Sequence, residues 1–145
     1  METPAAFSLD ARLAADTSPL LDLELCCVRL MEDARYPWLV LVPRRPGMVE
    51  ILDLSVADQA LLWDEVRLCA RALDRATGSH KLNIAALGNV VSQLHVHVIA
   101  RFESDDAWPR PVWGIHPAMP YEGADRDALS TALSRFLSAE ADPSG

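Results

Sequence analysis

Positive charge is scarce in this sequence. It has 13 Lys and Arg residues against 21 Asp and Glu residues, so the formal net charge is −8 at pH 7. A protein that binds DNA or RNA without regard to sequence needs a basic surface that neutralises phosphates. The acidic balance therefore argues against a nucleic-acid polymer as the partner. It leaves room for a small anionic ligand held by local donors.

Cysteine and long apolar runs are scarce as well. The chain has three cysteines, with two adjacent and no CxxC pair: Cys26, Cys27 and Cys69. This pattern favours buried thiols in a reducing, intracellular compartment. No apolar run approaches the length of a membrane span, and residues 1–6 lack a basic stretch followed by an apolar one. We therefore expect a cytoplasmic protein without a signal peptide and without a membrane partner.

The length of 145 residues, half of them hydrophobic, predicts a single domain over residues 1–145 with a substantial core. The predicted elements are, in chain order, a short helix at 9–15 capped by Ser8, one strand within 21–31, a buried strand at 38–42, a long helix between Ser55 and Gly78, strands at 81–87 and 94–102, an irregular segment at 103–122 and a helix at 125–137. The spacing of the strands suits hairpin connections. We therefore expect an α+β domain with a mostly antiparallel sheet.

The long helix has the clearest pattern. Its apolar residues recur at helical spacing: Leu62, Val66, Cys69, Leu73 and Ala76. Ser55 is a typical N-cap, and Gly78 is typical of the residue that ends a helix. Because Cys69 belongs to the apolar stripe, we expect it to pack in the core rather than to act as a nucleophile.

Residues 93–99, with the sequence QLHVHVI, carry most of the functional information. Polar and apolar residues alternate, which is the period of a half-buried strand. Gln93, His95 and His97 are therefore expected to form a row on an exposed face. The alternate residues are expected to face the core: Leu94, Val96 and Val98.

Two imidazoles in one row are compatible with several hypotheses. One is that the two histidines are adjacent by chance and have no functional role. A shared metal ion is one reading, but a structural zinc needs four ligands and a catalytic zinc needs three. The other two histidines, His80 and His116, are not well placed for that. Covalent catalysis is another reading. A neutral imidazole Nε2 can attack phosphorus when Nδ1–H is held by an acceptor, and a neighbouring imidazolium can bind a phosphate oxygen or protonate the leaving group.

The run at 93–99 resembles the signature of the histidine triad family, His-x-His-x-His followed by apolar residues. Residues 38–46 also resemble the strand and turn that precede the family's long helix. Asn83 and the segment 88–91 resemble the stretch that leads into the motif strand. The likeness covers a core at about 20–103. The C-terminal segment 104–145, which contains Trp108-Pro109 and Trp113, resembles a bacterial branch of short, stand-alone members.

This resemblance implies a sheet of about five mostly antiparallel strands, with a long central helix and a C-terminal helix. Family members are nucleotide-binding hydrolases and transferases. They act at the α-phosphorus of nucleoside phosphoramidates, dinucleoside polyphosphates or similar conjugates, through a covalent nucleotidyl-histidine. By the resemblance, His95 matches the nucleophile and His97 matches the third histidine, near the phosphate and the leaving group. The resemblance also implies a homodimer that needs neither cofactor nor metal.

The sequence departs from the family pattern at three positions. Gln93 stands where the first histidine is expected, Val90 stands where many members have Ser or Thr, and Pro46 stands where some have a further histidine. Glutamine can form hydrogen bonds but cannot titrate. A His at position 93 would raise the rate if that position carries protons, and would be neutral or harmful if it only orients its neighbours. The alternative function is a nucleotide-binding regulatory or scaffold protein with weak or no catalysis, and a further one is a metal-binding module.

Other candidate contacts follow from the same resemblance. Substrate-binding positions are expected at Asn83, Asn89, Val90, Glu32 and Asp33, the last two at the ribose. Trp108 and Trp113 are expected to pack within the Pro-rich segment, at the site or at a subunit contact. Ordinary solvated positions are expected for two sets of charged residues: Arg44 and Arg45 in a turn, and Glu103, Asp105 and Asp106 after the motif strand.

Overall fold

The computed structural model describes residues 6–141. The ends of the predicted domain, residues 1–5 and 142–145, lie outside the described residues. The elements are α1 (Ala11–Asp16), β1 (Thr17–Asp22), β2 (Cys26–Met31), β3 (Trp38–Pro43), a 3-10 turn (Ile51–Asp53), α2 (Val56–Thr77), β4 (Lys81–Ala85), β5 (Val96–Arg101) and α3 (Asp125–Ala141). The five strands form one sheet in the order β1-β2-β3-β5-β4, with every neighbouring pair antiparallel. The predicted α+β class with five antiparallel strands is confirmed.

The long helix α2 begins and ends where its sequence pattern predicts. The Ser55 hydroxyl accepts a hydrogen bond from the Asp58 amide at 3.1 Å, and Gly78 adopts the left-handed conformation with φ of 65°. Its apolar stripe packs on the sheet, and α3 packs on α2. Cys69 is fully buried, as expected. No helix within residues 6–141 has the length and apolarity needed to cross a bilayer.

The N-terminal elements differ from the prediction. Asp10, not Ser8, caps α1, because its carboxylate accepts from the amides of Arg12 and Leu13 at 2.8 and 3.3 Å. Residues 17–19, which follow the helix predicted at 9–15, open strand β1. Pro19 is tolerated there because β1 lies at the edge of the sheet, where a missing N–H costs no ladder hydrogen bond. The single strand predicted within 21–31 is therefore a hairpin of β1 and β2.

A buried carboxylate that sequence analysis did not identify stabilises this hairpin. Glu65 lies on α2 and is almost fully buried. Its two carboxylate oxygens accept from the backbone amides of Leu25 and Cys26 at 2.9 and 2.8 Å. The turn of the hairpin is thereby tied to the helix that packs beneath the sheet.

Strand β5 is buried on both faces, so the expectation of a half-buried strand is wrong. Its core-facing residues pack against α2 as predicted: Leu94, Val96 and Val98. The other face is covered by α1 and by the segment that follows β5, which form a second apolar cluster with β3. His95 and His97 are consequently only 7% and 4% exposed. Local alternation cannot reveal this cover, because it comes from distant parts of the chain.

A buried ion pair anchors the covering segment. The Asp105 carboxylate is 5% exposed and accepts from Arg101 Nε and Nη2 at 2.8 and 3.0 Å. Arg101 also donates to the Arg110 carbonyl oxygen at 2.8 Å. Burial alone would raise the pKa of Asp105, but hydrogen bonds from Arg101 and from backbone amides outweigh it and lower that pKa. Asp105 is thus a structural residue and not the solvated side chain that was expected.

The two arginines of the turn after β3 also form specific contacts. Arg44 donates to the carbonyl oxygens of Leu23 and Glu24, in the turn between β1 and β2. Arg45 pairs with Asp58 in the first turn of α2, with Nε 2.8 Å from the carboxylate. Both were expected to be ordinary turn residues. They instead fasten the turn to the hairpin and to the start of α2.

Candidate functional site

A cavity of about 470 Å³ lies on the face of the sheet opposite α2. It is bounded by α1, by the end of β2, by residues 87–91 after β4, by His95 just before β5, by His97 within it and by residues 112–118. Sites for small ligands typically have volumes of roughly 300–1,000 Å³. The cavity is therefore large enough for a ligand of nucleotide size.

His95 is held in one tautomer by the backbone. Its Nδ1 lies 2.6 Å from the carbonyl oxygen of Gln93. Because a carbonyl oxygen can only accept, Nδ1 carries the proton and Nε2 keeps a lone pair. The ring lines the cavity. This is the state that a nucleophilic imidazole requires.

His97 is held in the opposite tautomer. The Trp38 indole N–H donates to Nδ1 of His97 at 2.9 Å, so Nε2 of His97 carries the proton. Burial, together with the neighbouring His95, lowers the pKa of His97 to about 3. His97 is therefore a neutral donor at neutral pH and not the imidazolium that was considered from the sequence. The two imidazole rings lie 4.8 Å apart at an interplanar angle of 74°.

The two tryptophans of the C-terminal segment have different surroundings. Trp113 lines the cavity and packs edge-on against His97, with ring centroids 5.1 Å apart. Trp108 packs over the guanidinium of Arg101 and against His80. The segment therefore brings one tryptophan to the histidines and uses the other to cover the buried arginine.

The side chain of Gln93 binds the N-terminal segment and does not line the cavity that contains the two histidines. Its Oε1 accepts from the Asp10 amide at 2.8 Å, and its Nε2 donates to the Ser8 carbonyl oxygen at 2.9 Å. The expected row of three side chains is therefore reduced to two. Because β5 begins at Val96, Gln93 lies outside the strand, and strand alternation does not determine the direction of its side chain. The backbone carbonyl of residue 93 accepts from His95, and the side-chain amide of Gln93 binds the N-terminal segment.

The acidic candidates at the end of β2 do line the cavity, but both have partners. Glu32 forms an ion pair with Arg126 of α3, with the closest oxygen 2.7 Å from Nε. Asp33 is buried, and its Oδ1 accepts from the amides of Arg35 and Met119 at 3.0 and 3.2 Å. Asp33 thus shapes the cavity wall, and Glu32 presents a paired carboxylate there.

The remaining candidates separate into two groups. Asn89 and Val90 line the cavity from the loop after β4, where both are exposed. Asn83 does not reach it, since its oxygen accepts from Arg101 Nη1 at 2.9 Å. The structure therefore brings six of the eight candidate side chains to the cavity: His95, His97, Asn89, Val90, Glu32 and Asp33.

Trp38, Arg12 and His116 are among the cavity residues that were not proposed as site residues from the sequence. In the sequence, Trp38 is one more apolar residue of a predicted buried strand. The hydrogen bond from its indole N–H to His97 is evident only in the structure. Arg12 and His116 line the cavity from α1 and from the C-terminal segment, and supply positive or titratable groups. Neither lies in a motif that could have revealed it. Within residues 6–141, no group of three or more His, Cys, Asp or Glu side chains is arranged to hold a metal ion.

Comparison with known proteins gives consistent matches. The sequence profile of the HIT domain, which is the histidine triad domain, matches residues 12–104. A histidine triad protein from Bradyrhizobium japonicum is 50% identical with a TM-score of 0.90, over 92% of this chain and 99% of that one. One from Sinorhizobium meliloti is 48% identical with a TM-score of 0.88, over 90% and 96%. One from Marinobacter aquaeolei is 42% identical with a TM-score of 0.90, over 94% and 100%. No curated protein gives a significant match.

These matches agree with the paired histidines and with the strand order described above. The profile covers more than half of the chain, and the related structures span nearly all of it. The chain therefore belongs to the histidine triad family.

Proposed function

We propose that the protein binds a nucleotide conjugate in this cavity and transfers its nucleotidyl group to His95. The observation that carries the proposal is the opposite tautomers of the two histidines. His95 keeps a lone pair on Nε2, and His97 keeps a proton on Nε2. One ring is thus prepared to attack phosphorus and the other to donate a hydrogen bond to a phosphoryl oxygen.

The proposed reaction has two steps. His95 Nε2 attacks the α-phosphorus and forms a nitrogen–phosphorus bond, while the bond from phosphorus to the leaving group breaks. The leaving group departs with the bonding electrons and takes a proton from water. A water molecule or another hydroxyl acceptor then attacks the phosphorus and loses a proton to the hydroxide left by the first step, while the nitrogen–phosphorus bond breaks and its electron pair returns to Nε2. We expect the route to need no cofactor, because imidazole supplies the nucleophile.

The cavity walls support a nucleoside conjugate as the substrate. We assign Glu32 to the ribose, because its carboxylate can accept from two vicinal hydroxyls. We place the phosphate near His97 and Arg12, with Asn89 and Val90 beside it in the loop after β4. Val90 has no hydroxyl to donate to the phosphate. This substitution favours slow turnover over rapid turnover.

Mass spectrometry of the protein mixed with an adenosine phosphoramidate tests the proposal. We expect an adenylyl adduct on His95 and release of AMP. His95→Asn is the preferred variant, because His95 is buried and an amide can still donate to the Gln93 carbonyl. It should form no adduct, whereas His80→Ala, outside the cavity, should form it normally. An adduct on another residue, or undiminished turnover in His95→Asn, contradicts the proposal.

We also propose that the protein is a homodimer joined along β4. In the described part of the chain, β4 ends the sheet and so offers unpaired backbone groups. Large apolar side chains are exposed beside it: Leu52, Trp63, Ile84 and Leu87. An exposed apolar patch of this kind marks an interaction surface. Trp63→Glu should shift sedimentation to the monomer, and Ala128→Glu on the exposed side of α3 is the matched control.

A second candidate function is nucleotide binding with little or no chemistry. Val90 and the engagement of the Gln93 side chain by the N-terminal segment favour it, because both reduce the polar groups around the phosphate. Calorimetry with AMP and the adduct experiment separate the two functions. Binding without an adduct would identify a regulatory or scaffold protein. In either case we expect a cytoplasmic protein, since all three cysteines are free and burial raises the pKa of Cys69 to about 12.

A further inference from the structure

Two tryptophans pack against His97, and they do so in different ways. The Trp38 ring lies 5.6 Å from the imidazole at 61°, and the Trp113 ring lies 5.1 Å away at 74°. The two edge contacts are similar in geometry. Among the described residues, the hydrogen bond to the His97 ring comes from Trp38, at 2.9 Å. A comparison of substitutions at Trp38 and Trp113 therefore separates the effect of a hydrogen bond on His97 from the effect of aromatic packing.

We propose that Trp38 is a positioning residue that holds the neutral His97 ring with its proton on Nε2, so that His97 serves the bound phosphate only as a hydrogen-bond donor. The role toward phosphate rests on the function proposed above. The state of the ring does not, because it is a property of the protein without ligand.

The indole N–H is a donor and has no acceptor atom, so the ring nitrogen it faces must hold a lone pair. Protonation of His97 would place a second hydrogen between Nδ1 and the indole nitrogen and would destroy this hydrogen bond. The same protonation would create a buried charge without a carboxylate in contact, which is costly.

The surroundings of His97 give no compensation for a positive charge. Its strand neighbours are apolar, Val40 on β3 and Ala85 on β4. Within residues 6–141, the titratable group that acts on His97 is His95, and both burial and His95 lower the pKa of His97. Other charged or titratable groups share the cavity wall: Arg12, Asp16, Glu32, Asp33 and His116.

This arrangement fixes the proton balance of the proposed reaction. If a neutral His97 gave up its Nε2 proton, an imidazolate would remain. The indole N–H of Trp38 could donate a hydrogen bond to that imidazolate but could not transfer its proton to it. His97 therefore keeps its proton throughout, and the proton for the leaving group comes from water. The pH–rate profile should accordingly contain no ionisation of His97 near neutrality.

Nitrogen NMR of the His97 ring in the unliganded protein tests the inference directly. We compare the parent protein with Trp38→Phe and Trp113→Phe, each of which keeps an aromatic ring. The parent and Trp113→Phe should show one tautomer, protonated on Nε2, that does not titrate through about pH 6.5, the ordinary imidazole value. Trp38→Phe should populate the Nδ1-protonated tautomer, and the pKa of His97 should rise by about one unit, equivalent to about 1.4 kcal/mol.

Three results would overturn the inference. They are a parent ring protonated on Nδ1, a parent ring that titrates near the ordinary value, and equal effects of the two Phe variants. If Trp38→Phe does not fold, benzothienylalanine at position 38 replaces the indole N–H by sulfur with little change in shape, and the same tautomer shift is expected. If the NMR result holds but no adduct forms on His95, the proposed function fails while the role of Trp38 stands.

Discussion

Gln93 offers the sharpest test of how this protein differs from a three-histidine pattern. Its amide forms two hydrogen bonds with the N-terminal segment, to Asp10 N and to Ser8 O. A typical hydrogen bond contributes about 0.5–1.5 kcal/mol net, so Gln93→Ala should cost about 1–3 kcal/mol. For a domain near this size each kcal/mol lowers Tm by about 2–4 °C. A loss of about 2 kcal/mol thus lowers Tm by roughly 4–8 °C.

Two further substitutions at the same position refine the prediction. Gln93→Glu keeps the acceptor for Asp10 N but turns a second oxygen toward the Ser8 carbonyl, so it should be no more stable than Gln93→Ala. Gln93→His cannot satisfy both backbone groups, and restoring the family's first histidine should therefore lower stability without raising the rate. Because both ends of its side-chain amide bind the N-terminal segment, we expect position 93 to have the orienting role and not the proton-carrying role.

Thermal unfolding and hydrogen exchange provide the assays. Hydrogen exchange at the Asp10 amide and along α1 should become faster in Gln93→Ala, because the two hydrogen bonds from the Gln93 side chain to the N-terminal segment are lost. Gln59→Ala is the matched control, since Gln59 forms one side-chain hydrogen bond, from Nε2 to the Leu54 carbonyl at 3.0 Å. It should cost about half as much and leave exchange in α1 unchanged. An unaltered Tm in Gln93→Ala would refute the reasoning. So would a higher turnover rate in Gln93→His, if its pH–rate profile showed an ionisation that is absent from the parent protein.

The remaining predictions concern three other contacts. Asp105→Asn breaks the buried pair with Arg101 and should cost about 3–5 kcal/mol in denaturant unfolding near neutral pH. Because folding lowers the pKa of Asp105, its contribution is complete above the unfolded value of about 3.9 and is lost as the pH falls through the lower folded value, so the difference between the two proteins should shrink in acid. Glu65→Gln leaves one buried backbone amide facing an NH₂ group and should cost about 1–3 kcal/mol by the same measurement, whereas a cost under a few tenths would contradict the bridging geometry. Val90→Thr adds a hydroxyl at an exposed cavity position and should raise kcat/KM for an adenosine phosphoramidate about tenfold, with Val49→Thr outside that cavity as the control and an unchanged value as the contrary result.

Local sequence signals predicted the parts of the fold that local interactions determine. Ser55 and Gly78 mark the ends of α2, because capping depends on a few neighbouring residues. The alternation at Val96 and Val98 correctly identified the side of β5 that packs on α2. The period-two pattern also correctly placed His95 and His97 on the same side.

The features that sequence could not predict depend on contacts between distant segments. The burial of His95 and His97 comes from α1 and from the segment held by Arg101 and Asp105. No periodicity in the motif strand reports on those elements. Trp38 was assigned to the core from the apolar run around it, which was correct for its burial but could not reveal its indole N–H. The same limit explains Gln93, whose side-chain partners lie more than 80 positions earlier in the chain.

In the proposed reaction, the position of Gln93 accounts for how a triad protein can lack its first histidine and still hold His95 in the tautomer of a nucleophile. The proton on Nδ1 of His95 is held by the carbonyl oxygen of residue 93, an atom that every amino acid supplies. We therefore expect the proposed reaction to need from this position a correctly placed backbone carbonyl and not an imidazole. The glutamine amide supports that placement by binding the N-terminal segment from both its oxygen and its nitrogen. Because α1 follows that segment and forms one wall of the cavity, the substitution couples the orientation of His95 to the shape of the ligand site.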